Sequence, residues 1–472
     1  MNKKLNVAIF ASAFHPSLGG VEELCRQLAL ELMRQGHGVI VLTNRWPRDL
    51  PATAAIDGIS VYRLPFRLPE GSAKAAINYH LTHRRVEQDM LTILRSHHID
   101  MLHVQCVSSN AHYAMVAQEK LRLPLVVTLQ GELTMDANQI FQKSPQAQEI
   151  LRRALDKAQV ITGCSGKTLR DGEEFYGKPF GDRGRVIFNG VNLADFGSSM
   201  SNDQRSMNNA AGAGDSPQRH KDTKDDIEKQ ESRIQNPEAK YQILNANSSR
   251  SAPGSYIFAL GRMAKQKGFD VLIQAYGLIN EQRTTINDQQ NRQSVPSVKS
   301  VDENVSVLSV CSVAEPRFPD LILAGDGPEL ENLKSLVRDL GLADRVRFPG
   351  RADRRQVASY MAGCEFFVIS SPAEPFGIVI LEAMAAGAPV IAVNNAGPAE
   401  IITDGVNGLL VERSEPALLA AAMQRLVGDI ALRDRLSTAG REHAADFSWA
   451  MIAKQYLEVY AAAASENAGV RS

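Results

Sequence analysis

FFVISSPAEPFGIVILEAMAAG, Phe366 to Gly387, is the stretch whose reading decides the fold. Phe366 to Ser370 is a short apolar run of strand type, Pro372, Glu374, Pro375 and Gly377 punctuate a loop, and an Ala- and Leu-rich helix follows. Glu374 lies in the loop and Glu382 comes eight residues later, which places one carboxylate at the helix mouth and the other about two turns in. The first N–H groups of a helix are unpaired and its macrodipole is positive there, so the mouth favours an anion, phosphate above all. Two carboxylates beside a phosphate suit the hydroxyls of a sugar. A crossover helix with solvated glutamates is the competing reading, and this stretch alone does not separate the two.

The flanking sequence repeats the same strand, loop, helix pattern. Tyr256 to Leu260 is a strand that leads into GRMAKQKG (Gly261 to Gly268) and a helix over Phe269 to Ile279; LILAG leads into the GDGPE turn (Gly325 to Glu329) and a helix; Val346 to Pro349 leads into Gly350-Arg351. The first half alternates likewise, from the strand Leu5 to Ala11 through FHPSLGG to a helix from about Val21 to Gln35, and on to the strands Met101 to Gln105, Leu125 to Leu129 and Val160 to Cys164. Such alternation implies parallel sheets covered on both faces, with ligands at the C-terminal ends of the strands. Each half reads as one Rossmann-like unit.

Two polar segments interrupt the pattern. Residues 198–254 are rich in Ser, Asn, Gln, Asp and Lys and read as a disordered insert or linker, and a second polar segment spans about 280–317. The expected organisation is therefore an N-terminal domain over 1–197, the 198–254 insert, a C-terminal domain over 255–450, and a C-terminal helix and tail over 451–472.

Composition narrows the function classes. The net charge of −1 supplies no basic field for a nucleic acid. The five cysteines are scattered without a CxxC pair, which fits reduced thiols, a cytoplasmic setting and no structural zinc. MNKKLNVAIFASAF imitates a secretory signal, but the glycine turn and amphipathic helix that follow favour a buried first strand. Arg67, Lys74, His80, His83, Arg84 and Arg85 gather in one segment; it reads first as a solvated helix face and leaves open peripheral attachment of the N-terminal domain at the inner face of a membrane.

Arg262 and Lys267 share one loop, where a planar fork and a mobile point charge together can neutralise a diphosphate and the charge that builds on it as it departs. Gly19 and Gly20 let the backbone approach a ligand, although the Walker lysine and full GxGxxG spacing are absent and a plain tight turn explains them as well. HExxH, GxSxG and a strand-end DxD are also absent. The histidines His15, His103 and His112 read as structural or surface residues.

Taken together, the two halves, GGVE, GRMAKQKG, GDGP and above all EPFGIVILE resemble the retaining glycosyltransferases of the GT-B fold, the group 1 or GT4 family. The resemblance covers nearly the whole chain outside the two polar segments and the ends. It implies an α/β protein with two Rossmann-like parallel-sheet domains facing each other across a cleft. It also implies a nucleotide-sugar donor held mainly by the C-terminal domain, a glycan, lipid-linked or other cell-envelope acceptor in the N-terminal domain, and transfer with retention and without a bound metal or other cofactor. Carried over by position, Arg262 and Lys267 bind the diphosphate, Glu374 the donor sugar and Glu382 the ribose. The backbone of Phe376, Gly377 and Ile378 holds sugar and phosphates, Arg351 lies near the base, and Gly19 and Gly20 approach from across the cleft. Many relatives carry a histidine where this chain has Gln130, in VVTLQGEL; glutamine can contact a sugar hydroxyl but is no general acid or base at neutral pH. A nucleotide-sugar epimerase or hydrolase on the same scaffold, and a non-catalytic nucleotide-sugar binding protein, are the alternatives.

Overall fold

The computed structural model describes residues 4–17, 19–68, 73–135, 140–196, 255–293 and 318–469. The expected insert at 198–254 and most of the second polar segment lie outside the described residues.

The first sheet contains β1 (Asn6–Ala11), β2 (Gly38–Asn44), β3 (Thr53–Ile56), β4 (Ile59–Leu64), β5 (Met101–Gln105), β6 (Leu125–Leu129), β7 (Val160–Gly163) and β8 (Gly184–Val186), in the order β3-β4-β2-β1-β5-β6-β7-β8. All its pairings are parallel except the β3–β4 edge hairpin. The second sheet is wholly parallel: β9 (Tyr256–Leu260), β10 (Asp320–Ala324), β11 (Val346–Gly350), β12 (Phe366–Ile369), β13 (Val390–Val393) and β14 (Leu409–Val411), in the order β11-β10-β9-β12-β13-β14. Central strands such as β5, β6 and β12 are buried on both faces; β12 is a continuous apolar run, and β5 and β6 bury His103, Gln105 and Thr128 among apolar residues. The two α/β domains make a GT-B fold.

Strand order reverses between β1 and β5 in the first sheet and between β9 and β12 in the second. Helices diverge to opposite faces at such a point and leave a crevice beyond the strand ends, which is where open α/β sheets bind ligands. FHPSLGG follows β1, GRMAKQKG follows β9, and SSPAEPFG follows β12.

The C-terminal helix returns to the N-terminal domain. Trp449, Ile452, Tyr456 and Tyr460 of the Trp449–Gly469 helix are buried with Val7, Ile9, Leu28 and Leu32 in one apolar cluster against β1 and the Gly20–Arg34 helix. Glu400 adds a polar tie, accepting the Gly166 and Lys167 backbone N–H groups at 2.7 and 3.1 Å, at the N-terminus of the Gly166–Tyr176 helix. A carboxylate there satisfies two orphan donors and meets the positive end of the dipole.

Three local expectations need correction. The Phe269–Gln293 helix extends well past Asn280, into the segment read as a polar insert. A helix over Ser109–Leu121, between β5 and β6, escapes the sequence pattern because Asn110, Ala111, Tyr113, Ala114, Met115 and Ala117 are buried on several of its sides. The decisive helix begins only at Ile378, so Glu382 sits about one turn in rather than two.

Candidate active site

The basic loop after β9 is shaped by backbone contacts. Met263 N–H donates to the Asp326 carbonyl and Glu329 N–H to the Met263 carbonyl, both at 2.9 Å, so the GDGP turn buttresses this loop. At the loop's far end Gly268 has φ +64°, and a Cβ there would lie 2.4 Å from the Ser370 carbonyl oxygen; only glycine accepts both the conformation and the approach. Ser370 Oγ donates to the Lys267 carbonyl at 3.0 Å. Lys267 is thereby pinned to the end of β12, beside the Glu374 loop.

Lys267 Nζ donates to Glu374 Oε2 at 2.6 Å. Glu374 is 9% exposed and its backbone N–H donates to Asn395 Oδ1 at 2.9 Å, while Asn395 Nδ2 donates back to the Ser371 carbonyl at 2.9 Å. Arg262, Lys267, Ser371, Glu374, Gly377 and Ile378 line one cavity of about 250 Å³, and Gly20 of the N-terminal domain lines its opposite side. A Cβ added at Gly20 would meet nothing within 4 Å, so that side is left open for a ligand. Among the described residues Ser371 Oγ is buried without a hydrogen-bond partner, and burial of an unpaired hydroxyl is costly unless a bound group completes it. Gly377, at φ +89°, caps the Ile378–Ala386 helix without a side-chain hydrogen bond, leaving its first N–H groups for an anion.

Other expected residues lie outside this cavity. Phe376 is buried and stacks on Phe188 with ring centroids 5.8 Å apart, which leaves its backbone as the part available to a ligand. Gly19 is the N-cap of the Gly20–Arg34 helix. The Arg351 side chain is 82% exposed, with Nε 3.3 Å from Asp326 Oδ2. Gln130 is engaged internally: its amide exchanges hydrogen bonds with Asn189 and donates to Gln105 Oε1 at 3.1 Å. Beyond it, Gln105 Nε2 reaches His103 Nε2 at 3.2 Å, and His103 Nδ1 meets the Tyr460 hydroxyl at 2.8 Å. Burial drives the pKa of His103 down to about 3, so it is a neutral structural relay, as its sequence reading expects.

Glu382 shows a partner that the sequence does not announce. It is 8% exposed, and Arg354 Nη1 lies 3.4 Å from its Oε1. The same guanidinium pairs with Asp195, comes within 3.8 Å of Glu23 Oε1 in the N-terminal domain, and covers the Phe196 ring. Burial pushes the Glu382 pKa up to about 7; Arg354 opposes that rise, and the Glu23 and Asp195 charges add to it. Asp195 is 159 residues from Arg354 in the chain, so no local spacing could have revealed the cluster. Asp353, which forms a capping box with Gln356 and starts the Arg354–Gly363 helix, is the nearest sequence signal.

The arrangement can therefore hold a diphosphate between Arg262, Lys267 and a helix mouth, with carboxylates on two sides of it. Comparison with known proteins identifies the family. The profile of the glycosyl transferases group 1 matches residues 310–443, and that of glycosyltransferase family 4 matches residues 18–195. Over 142 residues the chain is 41% identical to the lipopolysaccharide core biosynthesis glycosyltransferase LpsE of Rhizobium meliloti, covering 30% of this chain and 41% of the relative. Over 219 residues it is 33% identical to LpsD of the same organism, covering 46% and 52%. The matched part thus spans about half the length of these relatives or less. An uncharacterised glycosyltransferase of Methanocaldococcus jannaschii is 26% identical over 97% of this chain and 98% of its own. Among solved structures, Anabaena HepE in complex with UDP-glucose superposes with a TM-score of 0.62 at 19% identity, over 96% of this chain and 99% of that one. Sucrose-phosphate synthase from Thermosynechococcus elongatus gives 0.66 at 20%, over 97% and 98%. With one profile on each of the two domains, the chain belongs to the group 1, or GT4, family of glycosyltransferases.

Proposed function

We propose that this protein is a retaining, hexosyltransferase-type glycosyltransferase that moves a sugar from a nucleotide-sugar donor to a glycan, a lipid-linked saccharide or another cell-envelope acceptor. The observation that carries the reading is the 2.6 Å Lys267–Glu374 pair in a cavity shared by Arg262 and Gly20. The diphosphate binds Arg262 and Lys267, the sugar lies against Glu374 and the backbone of Phe376 to Ile378, and the ribose reaches Glu382. As the bond from the anomeric carbon to the diphosphate oxygen breaks, its electron pair leaves with the phosphate. The acceptor hydroxyl oxygen bonds to the same face, and its proton passes to a phosphate oxygen. Two cations at the leaving group stabilise the charge that builds there, and on this reading transfer needs no metal.

A thermal-shift screen across UDP-, GDP- and ADP-sugars tests it, since a bound donor raises stability in proportion to affinity. One donor class is expected to raise Tm and to support EDTA-insensitive transfer; no shift with any donor would sink the proposal. Incubation with donor alone separates the alternatives. Epimer formation or fast release of free sugar marks an epimerase or hydrolase, and tight binding without transfer to any acceptor marks a sensor or scaffold.

We further propose a cytoplasmic location with peripheral membrane contact through the N-terminal domain. No helix among the described residues is long and apolar enough to cross a membrane. On the Ala73–Ser96 helix, however, Ile77 and Leu81 are 60% and 78% exposed, and Arg84 and Arg85 follow one turn on. Apolar anchors beside cations suit an anionic bilayer surface. The protein is expected to sediment with phosphatidylglycerol vesicles and, after Ile77→Asp/Leu81→Asp, to stay in the supernatant; equal sedimentation of both would refute the contact.

A further inference from the structure

A second cavity, about 460 Å³ in volume, lies at the other topological switch point, beyond the ends of β1, β5 and β6. It adjoins the donor cavity in two places. Gly20 lines the donor side and the next residue, Val21, lines this one. Gly131, in its wall, has φ +92° and packs so tightly on Pro375, the residue after Glu374, that a Cβ there would lie 2.5 Å from the proline ring. A molecule seated in this pocket therefore ends beside the loop that holds the donor sugar.

The chemistry of the pocket is one-sided. Most of its surface is carbon, from Leu68, Val107, Phe141 and Ile150 among others, and no Lys, Arg or His lines it among the described residues. Its buried Glu132 already accepts the Val107 N–H at 2.8 Å and the Gln130 N–H at 2.6 Å. The Gln130 amide is tied to Gln105 and Asn189. An anionic group placed here would lose its water, find no cationic side chain among the described residues and face a carboxylate, with only the N-terminus of the Ser109–Leu121 helix, at Ser108 and Ser109, to receive it. An apolar group of the size of about fifteen waters would fill the space and replace poorly bound solvent.

We propose that this pocket receives the acceptor, and that the acceptor presents to it an uncharged, largely apolar body with the reacting hydroxyl at the Gly131–Pro375 end. The inference rests on the transferase reading for the word acceptor, but not for the class of ligand. The same features favour an alkyl-, isoprenoid- or aryl-bearing sugar over a phosphorylated polyol.

Calorimetric titration of the full-length protein with n-alkyl β-glucosides from methyl to octyl, and with inositol phosphate, tests the proposal. Affinity is expected to rise about threefold to fourfold with each added methylene until the pocket is full, and inositol phosphate is expected to bind more weakly than octyl glucoside. Ala147→Trp fills the pocket from within, and Ile140→Asp charges its 45% exposed rim at a site where the fold bears substitution. Either change is expected to flatten the chain-length series while leaving the Tm shift given by the nucleotide sugar unchanged. A flat series in the wild-type protein, or tighter binding of inositol phosphate than of octyl glucoside, would overturn the assignment. A protein that follows the series yet binds no nucleotide sugar upholds the ligand class and refutes only the transferase reading.

Discussion

Replacement of Lys267 by Ala is expected to lower turnover by about 10²–10³-fold, the usual cost of removing one group that stabilises charge in a transition state. Lys267 is the cation fixed closest to the sugar-binding loop, through its 2.6 Å bond to Glu374 and the tether of its carbonyl to Ser370. Arg262 is exposed and lines the same cavity, so it keeps part of the diphosphate affinity when Lys267 is lost. The deficit should therefore fall mainly on kcat, with a smaller rise in KM for the donor. Arg at position 267 is expected to rescue poorly, because a guanidinium fork does not reproduce a mobile ammonium at the end of a flexible stem. Glu374→Gln separates the two roles of the pair. If Lys267 acts only to hold Glu374, the Glu374→Gln and Lys267→Ala/Glu374→Gln proteins will have equal kcat; if it acts on the leaving group, the double variant will be slower. Steady-state kinetics on the donor found by the thermal-shift screen measures all four variants, and unchanged turnover in Lys267→Ala would remove Lys267 from the reaction.

The parts of this site that follow from local rules are legible in the sequence. A strand, a loop with Pro, Glu and Gly, and an apolar helix place Glu374 and the Gly377 cap without reference to anything distant. The alternation of strands and helices likewise gives most strands of both parallel sheets and puts the ligand loops at strand ends; β3 and β14, and the strand order that sets the two switch points, are not read from it. What depends on long-range packing is not legible. Lys267 and Glu374 are 107 residues apart, and whether two loops at neighbouring strand ends touch depends on Gly268 and Ser370 closing against each other. The docking of the Trp449–Gly469 helix under the first sheet leaves no local trace, because Trp449, Tyr456 and Tyr460 look equally at home in any amphipathic helix. The extension of the Phe269–Gln293 helix beyond Asn280 shows the opposite error. Its sequence there, NEQRTTINDQQNRQ, has no apolar stripe, yet Glu, Gln and Arg propagate a helix already nucleated by a buried first half. Arg354 is invisible for a third reason, since its carboxylate partners converge from both domains.

Glu382→Gln is expected to make the protein more stable and a worse enzyme. An isolated glutamate titrates near pH 4.3, whereas burial raises Glu382 to about 7. Between those values the folded protein holds a proton that the unfolded chain has released, so stability falls as pH rises through that window and the full cost is present above pH 7. A rise of that size corresponds to about 4 kcal/mol; glutamine, which never ionises, removes that cost, and Arg354 keeps Asp195 and Glu23 as partners. At pH 8 the variant should therefore unfold at higher denaturant or temperature than the wild type, with the difference vanishing near pH 4. Function should move the other way. The ionised carboxylate accepts one ribose hydroxyl on each oxygen in charge-assisted hydrogen bonds that the neutral acid makes only weakly, so wild-type donor affinity should rise as pH increases through about 7 and then level off. The variant should bind about tenfold to hundredfold more weakly at pH 8, on the scale of one or two charge-assisted hydrogen bonds, with no inflection near neutrality. Paired unfolding curves and donor titrations from pH 5 to 8.5 measure both effects. A variant that is less stable than the wild type at pH 8, or that binds donor with the wild-type pH profile, would show that Glu382 is a structural partner of Arg354 and not the group that receives the ribose.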